Sequence, residues 1–523
     1  MTLYTHERFH LDTPLIQMDS PEGSAQWTIR HAVEGVQIFG GIGSGKTSGS
    51  GRLLALKYLK QGFGGLVLTV KPDEKDQWIE YCRETGRLDD LVILGPGSSN
   101  RFNFLEYESS KVNSAHTYTE NIAEVLKTVI KAGQAKERGF GGDDNFWEQA
   151  LDLVIFNIID LCLLAYGKVT VQDMYEIAQT LPKKDERLII VLEDYEQLKA
   201  QAEAENKTFR ELTAFEKAMM KAHSSFSPQI EKYMSANADN LKQLMGDMSM
   251  SDFIKIKFPK AKTYFHVRQF FLESYRGLYD KTRSIIDFTF LGFMFRLLRE
   301  PVFSLFCHGK STVTPEDSLK GKIILLDMPV KTTFKVGRDC QILFKYIWQR
   351  AMERRNILEN DRPVFLWADE AQNFLHEHDP VYQATARSSR IATVYITQNL
   401  PNYFVAMGGQ HGEAKVQGFL GTMATKIFHA NADIETNRYA SDLIGEDYFE
   451  KKDRSQTISK DVSHSQSYSI NLEKVFRPED FVSLRGGSSS NRYLVQGIIH
   501  RQGDPIFVGK NYMHTAFNQN YKP

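Results

Sequence analysis

Cysteine is scarce in this chain. Four occur in 523 residues, at Cys82, Cys162, Cys307 and Cys340, far apart and never as Cys-x-x-Cys. That excludes a disulfide-stapled fold and a cysteine-based zinc site, and the four read as buried free thiols in a reducing cytoplasm. Long hydrophobic runs are missing too. The longest candidate, residues 151–166, is interrupted by Asp152, Asn157 and Asp160, which makes it a buried core helix rather than a membrane span. Residues 1–30 are polar, with Asp, Glu and His throughout, so no signal peptide is expected. Neither charge is in excess: 64 Lys and Arg against 65 Asp and Glu leave a net charge of −1. A uniformly basic nucleic-acid coat is therefore excluded, although a local basic patch is not. No internal repeat is visible. A hydrophobic content of 42% and a charged content of 25% are ordinary globular values, and the length suits about three domains' worth of core.

What is present centres on residues 33–49, VEGVQIFGGIGSGKTSG. The pattern Gly40-x4-Gly45-Lys46-Thr47 is that of a P-loop, preceded by an apolar β-run (Val36, Ile38, Phe39) and followed by a helix-compatible run over 52–59. Glycines let backbone N–H groups curl around phosphate oxygens, and the following helix adds the positive end of its dipole. The cradle is read as Gly40, Gly41, Ile42, Gly43, Ser44, Gly45, Lys46, Thr47 and Ser48. Lys46 is expected to reach the β- and γ-phosphates of ATP, and the Thr47 hydroxyl to take Mg²⁺. The Gly-x-Gly pairs could suggest a dinucleotide fold, but the Lys-Thr pair has no task there.

Around this loop the pattern alternates strand and helix. Residues 64–70 and 91–94 read as buried parallel strands, with an amphipathic helix over 74–86 between them. From about 113 to 300 the chain turns helical, with apolar residues at three- and four-residue spacing over 117–132, 145–166, 171–179, 186–204 and 209–222. Strands resume at 322–328 and 364–368, with a helix over 339–353 between them. A further strand is expected at 394–397, another at 425–430, a helix at 432–444, and a closing strand pair over 493–508 turning at Gly503-Asp504-Pro505. The polar, serine-rich stretch 449–470 reads as a mobile loop or hairpin.

The strand at 364–368 runs into Asp369-Glu370, the second nucleotide motif of P-loop ATPases. Asp369 at a strand tip can hold Mg²⁺ through water, and Glu370 can polarise the attacking water. Gln398, at the next strand tip, either senses the γ-phosphate or merely caps the strand. Arg387, and less so Arg390, could face a neighbouring subunit's nucleotide as an arginine finger, or be surface arginines. His376-Glu377-His378-Asp379 has no helical ligand spacing and is expected to be a solvated loop rather than a metal site. Lys46 and Asp369 lie too far apart in sequence for one compact nucleotide domain, so the helical stretch is an insertion. The expected fold is α/β: a RecA-like P-loop NTPase domain with a mostly parallel sheet (residues 1–108 and 313–523), interrupted by a large all-helical domain (109–312).

These pieces together resemble the type IV secretion coupling proteins of the TraG/TraD kind, related to the FtsK and HerA motors. GGIGSGKTSG resembles the family P-loop, residues 101–105 (RFNFL) its Tyr-Asn-Pro-Leu segment, and NFWEQA from Asn145 the start of its helical domain. LLDMPV, FLWADEAQNF and the spacing from Arg387 to Gln398 follow in family order, and EKVFRPEDFVSL and DPIFVGK resemble its C-terminal tail. LTVKPDEKD occupies the place of the family's Asp-Pro-Lys-Gly segment in a different order, so no role is carried onto it. The resemblance implies a hexameric ring with DNA in its channel and a helical domain that meets the relaxosome or secretion-channel proteins. It places Lys46, Thr47, Asp369, Glu370, Gln398 and Arg387 at the family's ATPase positions. Family members usually begin with two membrane-spanning helices, for which this sequence has no room, so a cytoplasmic protein is expected, with recruitment to the inner membrane by a partner as the variant. The leading expectation is an ATP-driven DNA translocase of conjugative transfer. The alternatives are a nucleotide-gated adaptor for protein substrates and a double-stranded DNA motor in defence or segregation.

Overall fold

A computed structural model describes residues 8–20, 23–111, 115–134, 145–408, 412–458, 462–507 and 509–523. Two compact units divide the chain: Met1–Gly95, Ala132–Phe140 and Pro315–Pro523 form one, Pro96–Lys131 and Gly141–Thr314 the other.

The first unit is built on a nine-stranded sheet. After a short antiparallel pair, β1 (Pro14–Ser20) and β2 (Gly23–Thr28), come β3 (Val36–Phe39), β4 (Gly64–Leu68) and β5 (Leu91–Leu94). The chain returns with β6 (Ile323–Leu326), β7 (Val364–Ala368), β8 (Ile391–Thr397) and β9 (Thr425–Phe428). A two-stranded ribbon, β10 (Glu446–Ile458) and β11 (Val462–Lys474), precedes β12 (Leu494–Arg501) and β13 (Tyr512–Asn518). The sheet order is β13-β12-β9-β3-β8-β7-β4-β6-β5, with β12 and β13 antiparallel and the rest parallel. β5 and β6, the strands on either side of the helical insertion, pair in parallel with Leu91 opposite Ile323.

The strands read as unbroken apolar runs because both faces of the sheet are covered. Alternate side chains such as Val36, Ile38, Phe365 and Trp367 join one core with Leu56, Tyr58 and Trp78 of the helices Arg52–Gln61 and Glu74–Glu84. The intervening positions face the other way: Phe39 meets Tyr403 and Tyr439, and Tyr395 meets Phe419. On that second face lies a buried ion pair. Lys345 Nζ, on the helix Val330–Glu353, donates to Asp379 Oδ1 at 2.6 Å and Oδ2 at 2.7 Å and to the Phe374 carbonyl at 3.0 Å. Gln349 Nε2 and the His376 backbone N–H complete the shell of Asp379. The solvated loop expected over 376–379 is thus partly core, because Lys345 draws Asp379 inward; His376 and Asp379 are both buried. Among the described residues no group of His, Cys, Asp and Glu could hold a metal.

In the second unit the helix Asn145–Tyr166 includes the one described stretch long and apolar enough to cross a membrane, Gln149–Tyr166. Its polar interruptions are matched inside the protein: Asp152 pairs with Lys127 at 2.9 Å and Asp160 accepts from Thr119 at 2.7 Å. The side chains of the NFWE start of this helix lie outside the described residues. The helix expected from 209 begins instead at Ala214, because Thr213 caps it in a reciprocal box with Glu216. The four cysteines are buried free thiols, as expected. The 449–470 stretch lies in the antiparallel β10–β11 ribbon, the hairpin alternative of the expectation, with residues 459–461 outside the described set. One local expectation is corrected. The partner of β12 is β13, further along than the expected pair, since only an isolated Phe507–Lys510 bridge follows the Gly503 turn.

Removing one partner of a buried ion pair leaves the other charge uncompensated. Lys345→Met is therefore expected to destabilise the protein by about 3–5 kcal/mol in chemical denaturation, a loss that a surface change such as Lys320→Met will not reproduce.

Candidate functional site

The tips of β3, β8, β7 and β4 stand side by side because each of these neighbours runs parallel to the next. The loops leaving them converge on one edge, where open parallel sheets place ligands. After β3 the chain turns through Gly43 (φ 72°) and Gly45 (φ 81°), left-handed conformations that a residue with a Cβ resists. A Cβ on Gly45 would also come within 2.4 Å of Val495. Ile42 rides the crest of the loop, 91% exposed. A wide π-type turn, Thr47–Gly51, then leads into the helix Arg52–Gln61.

Lys46 is 8% exposed and has no carboxylate partner among the described residues. A lysine whose stem is buried and whose ammonium has no protein counter-charge is free to meet an anion. Ser44 Oγ is buried beside it with no hydrogen-bond partner. An unpaired cation, an unpaired hydroxyl and two left-handed glycines fit a phosphate chain. Ser48 is engaged elsewhere: its hydroxyl accepts from Gln519 Nε2 at 2.6 Å.

Opposite the loop, Asp369 Oδ2 accepts from Thr47 Oγ1 at 2.9 Å, joining residues 322 apart in sequence. That hydroxyl and carboxylate form an oxygen-only donor set suited to Mg²⁺. Lys71 Nζ lies 3.6 Å from the same carboxylate oxygen. Burial pushes the Lys71 ammonium down, but Asp369, Glu74 and Glu370 outweigh it and hold it above its ordinary value. Glu74 accepts from the Val70 N–H at 2.8 Å, and burial together with Asp369 pushes its carboxyl up to about 8.

Glu370 leaves β7 in the left-handed region (φ 55°, ψ 50°), a conformation that its surroundings must enforce. Its N–H donates to Asp369 Oδ1 at 3.0 Å. Its carboxylate accepts from Gln372 Nε2 at 2.7 Å and from Gln398 Nε2 at 3.2 Å. Gln372 is itself fixed by Thr397 Oγ1 at 2.9 Å, and the Gln398 carbonyl accepts from Asn431 Nδ2 at 2.8 Å. Gln398 thus holds the glutamate as well as ending a strand.

Arg387 stands apart. It precedes β8 and so sits at the opposite end of the sheet from the P-loop, 3.3 Å from Glu34, which precedes β3. It does not reach the Lys46 pocket of its own chain. Arg390 donates to the Phe9 carbonyl at 2.7 Å. The structure therefore unites Lys46, Thr47, Asp369, Glu370 and Gln398 and separates Arg387 from them. Gln372, Lys71, Glu74 and His429 were not singled out from the sequence. Gln372 was visible as the residue two beyond Glu370; His429 carried no signal.

The fold compares with solved structures over almost its whole length. The bacterial conjugative coupling protein TrwBdeltaN70, in an unbound monoclinic form, superposes with a TM-score of 0.56 at 10% identity, covering 99% of this chain and 93% of that one. The chain has the conjugative coupling-protein fold. Plasmid coupling protein TrwB in complex with the non-hydrolysable GTP analogue GDPNP gives a TM-score of 0.54 at 11% identity, over 95% of this chain and 88% of that one. TrwBdeltaN70 in a trigonal form with sulphate gives 0.53 at 11% identity, over 94% and 87%. Residues 363–485, which include Asp369, Glu370 and Gln398, match the family model described as the TraM recognition site of TraD and TraG. No curated protein matches the sequence. The resemblance drawn from the motifs is borne out, and the coupling-protein fold accounts for an α/β sheet interrupted by helices.

One buried group behind the P-loop offers a pH test. His429 Nδ1–H donates to the Gln496 carbonyl at 2.8 Å, which leaves Nε2 to accept from the Ser50 hydroxyl at 2.7 Å. Burial holds its pKa down at about 4, against an ordinary 6.5. A group that stays neutral when folded and charges when unfolded costs stability as pH falls from 6.5 through 4. The wild type is expected to lose about 3 kcal/mol over that window from this group. His429→Gln should flatten that part of the pH dependence of the urea midpoint.

Proposed function

We propose that this chain is an ATP-hydrolysing motor that drives DNA during conjugative transfer through a type IV secretion system. The observation that carries the reading is that the phosphate loop and the acidic strand tip meet: Thr47 Oγ1 donates to Asp369 Oδ2 and the doubly held Glu370 follows it, while Lys46, next to Thr47, has no ion-pair partner among the described residues. The unit built on the nine-stranded sheet would be the motor domain, and the other, helical unit would meet relaxosome or secretion-channel proteins.

The backbone of residues 40–48 would wrap the phosphates of ATP, with Lys46 drawing off charge from the β- and γ-phosphates. Thr47 and Asp369 would hold Mg²⁺, which when bound neutralises charge developing on the phosphate oxygens. Glu370, oriented by Gln372 and Gln398, would place the attacking water and accept its proton. Arg387, remote from its own P-loop, would act in a hexameric ring on the nucleotide of the adjacent copy, stabilising transition-state charge. Exchanging Glu34 for a phosphate as its partner would link hydrolysis to movement between copies. DNA would be held in the ring channel by loops that only the assembled ring brings together, in keeping with a near-neutral chain. The protein would work on the cytoplasmic side, brought to the inner membrane by a partner.

Turnover of the wild type is expected to rise on adding DNA, and Lys46→Ala to lower it by about 10²-fold or more with or without DNA. DNA-independent turnover would point instead to a nucleotide-gated adaptor, and an unimpaired Lys46→Ala would remove the site assignment. Arg387→Ala should bind ATP normally but lose turnover by about 10³-fold. Mixing it with Glu370→Gln subunits should restore part of the activity, because each supplies what the other lacks; no recovery at any ratio would refute the shared site.

A further inference from the structure

Beyond the nucleotide pocket, the same sheet edge carries a feature with no structural task. Directly after β6 the chain passes Met328-Pro329 and starts the helix Val330–Glu353, but this helix is broken at Phe334, whose φ of 51° and ψ of −132° are non-helical. A residue with a Cβ adopts such a backbone only where its surroundings impose it. The side chain gains no packing in exchange, since Phe334 is 73% exposed.

The surroundings are rigid. Thr333 Oγ1 donates to the Pro329 carbonyl at 2.7 Å and to the Met328 carbonyl at 3.0 Å. Gln341, fully buried, clamps the ends of β4 and β6 together: its Nε2 donates to the carbonyls of Thr69 and Met328, both at 2.8 Å, and its Oε1 accepts from the Thr69 N–H at 2.7 Å. The Lys331 N–H donates to the Val70 carbonyl at 2.9 Å, and the next residue, Lys71, is the one beside Asp369. The segment that presents Phe334 is therefore fastened to the turn that borders the nucleotide pocket. Lys331, three residues before the ring, is exposed. In the sheet, four strand spacings, about 19 Å, separate β6, which precedes this turn, from β3, which precedes the P-loop.

A solvent-facing aromatic with an exposed lysine close by, on a stiff turn, is the pairing by which proteins grip unpaired nucleic acid: the ring stacks on a base and the cation meets the backbone. A paired duplex offers no free base face to such a ring. We propose that Phe334 and Lys331 form a contact for single-stranded DNA, Phe334 stacking on an unpaired base and Lys331 meeting the adjoining phosphate. The inference rests on the motor reading and adds to it the strand form that is gripped and the residues that grip it.

The test uses the full-length chain with ATP analogue and a single-stranded oligonucleotide carrying 2-aminopurine, read by fluorescence, alongside turnover without DNA. Stacking on Phe334 is expected to change the fluorescence on binding. Phe334→Ala should weaken binding about tenfold and abolish that change, Phe334→Trp should retain both, and Lys331→Ala should weaken binding and lower its salt dependence. Turnover without DNA should be unaltered in all three. Phe334→Gly, whose backbone suits the turn, should be no less thermostable than the wild type while losing the contact, a pattern that a purely structural phenylalanine would not give. If the wild type binds the strand and Phe334→Ala binds it equally well, or if duplex binds more tightly than single strand, this inference is overturned while the motor reading stands. A wild type that binds neither form overturns both.

Discussion

A single hydrogen bond, Thr47 Oγ1 to Asp369 Oδ2, ties the phosphate loop to the acidic strand end and gives the pocket its two walls. It forms because the sheet is parallel where it matters. β3, β8 and β7 run side by side in the same direction, so whatever follows each strand is delivered to the same edge. The long helical insertion does not disturb this, since it leaves after β5 and returns before β6, which pair with each other. Everything proposed of the nucleotide site depends on that register.

Two buried lysines show how the same chemistry serves structure and function. Lys345 is fully buried, and a bidentate contact to Asp379 satisfies it. Lys46 is nearly as buried and has no such partner among the described residues. The first fastens a helix to the turn beyond Glu370 and needs nothing more. The second is a charge awaiting an anion, and the buried, unpaired Ser44 hydroxyl beside it points the same way. Backbone strain is distributed in a similar manner. Glu370 and Phe334 are both non-glycine residues at positive φ, the first just beyond the end of β7 and the second within the helix that follows β6. Glu370 is buried and held by Gln372 and Gln398, whereas the conformation of Phe334 is not repaid by packing of its exposed ring.

Much of this was legible in the chain. The P-loop needs glycines at fixed places for steric reasons, and the apolar runs into Asp369 and Gln398 betray strands buried on both faces, so the α/β fold and five candidate residues that the structure brings to one sheet edge followed from residue type and spacing. Helix starts were less legible: Thr213 rather than the apolar periodicity decides where its helix begins. Asp379 looked solvated because its partner, Lys345, is remote in sequence and no local pattern announces a buried pair.

What the sequence by itself determined is the set of local conformations and the chemistry each can support: a phosphate-binding turn, an acidic strand tip, a helical interruption. Which of these meet was decided only by tertiary structure, because adjacency in a sheet follows strand order and not chain order. That order sets Gln372 and Gln398 on the carboxylate of Glu370 and moves Arg387 to the far end of β8, beside Glu34. It also fastens the Phe334 turn to Val70. Side chains carry no record of such neighbours until the backbone has brought them within hydrogen-bonding distance.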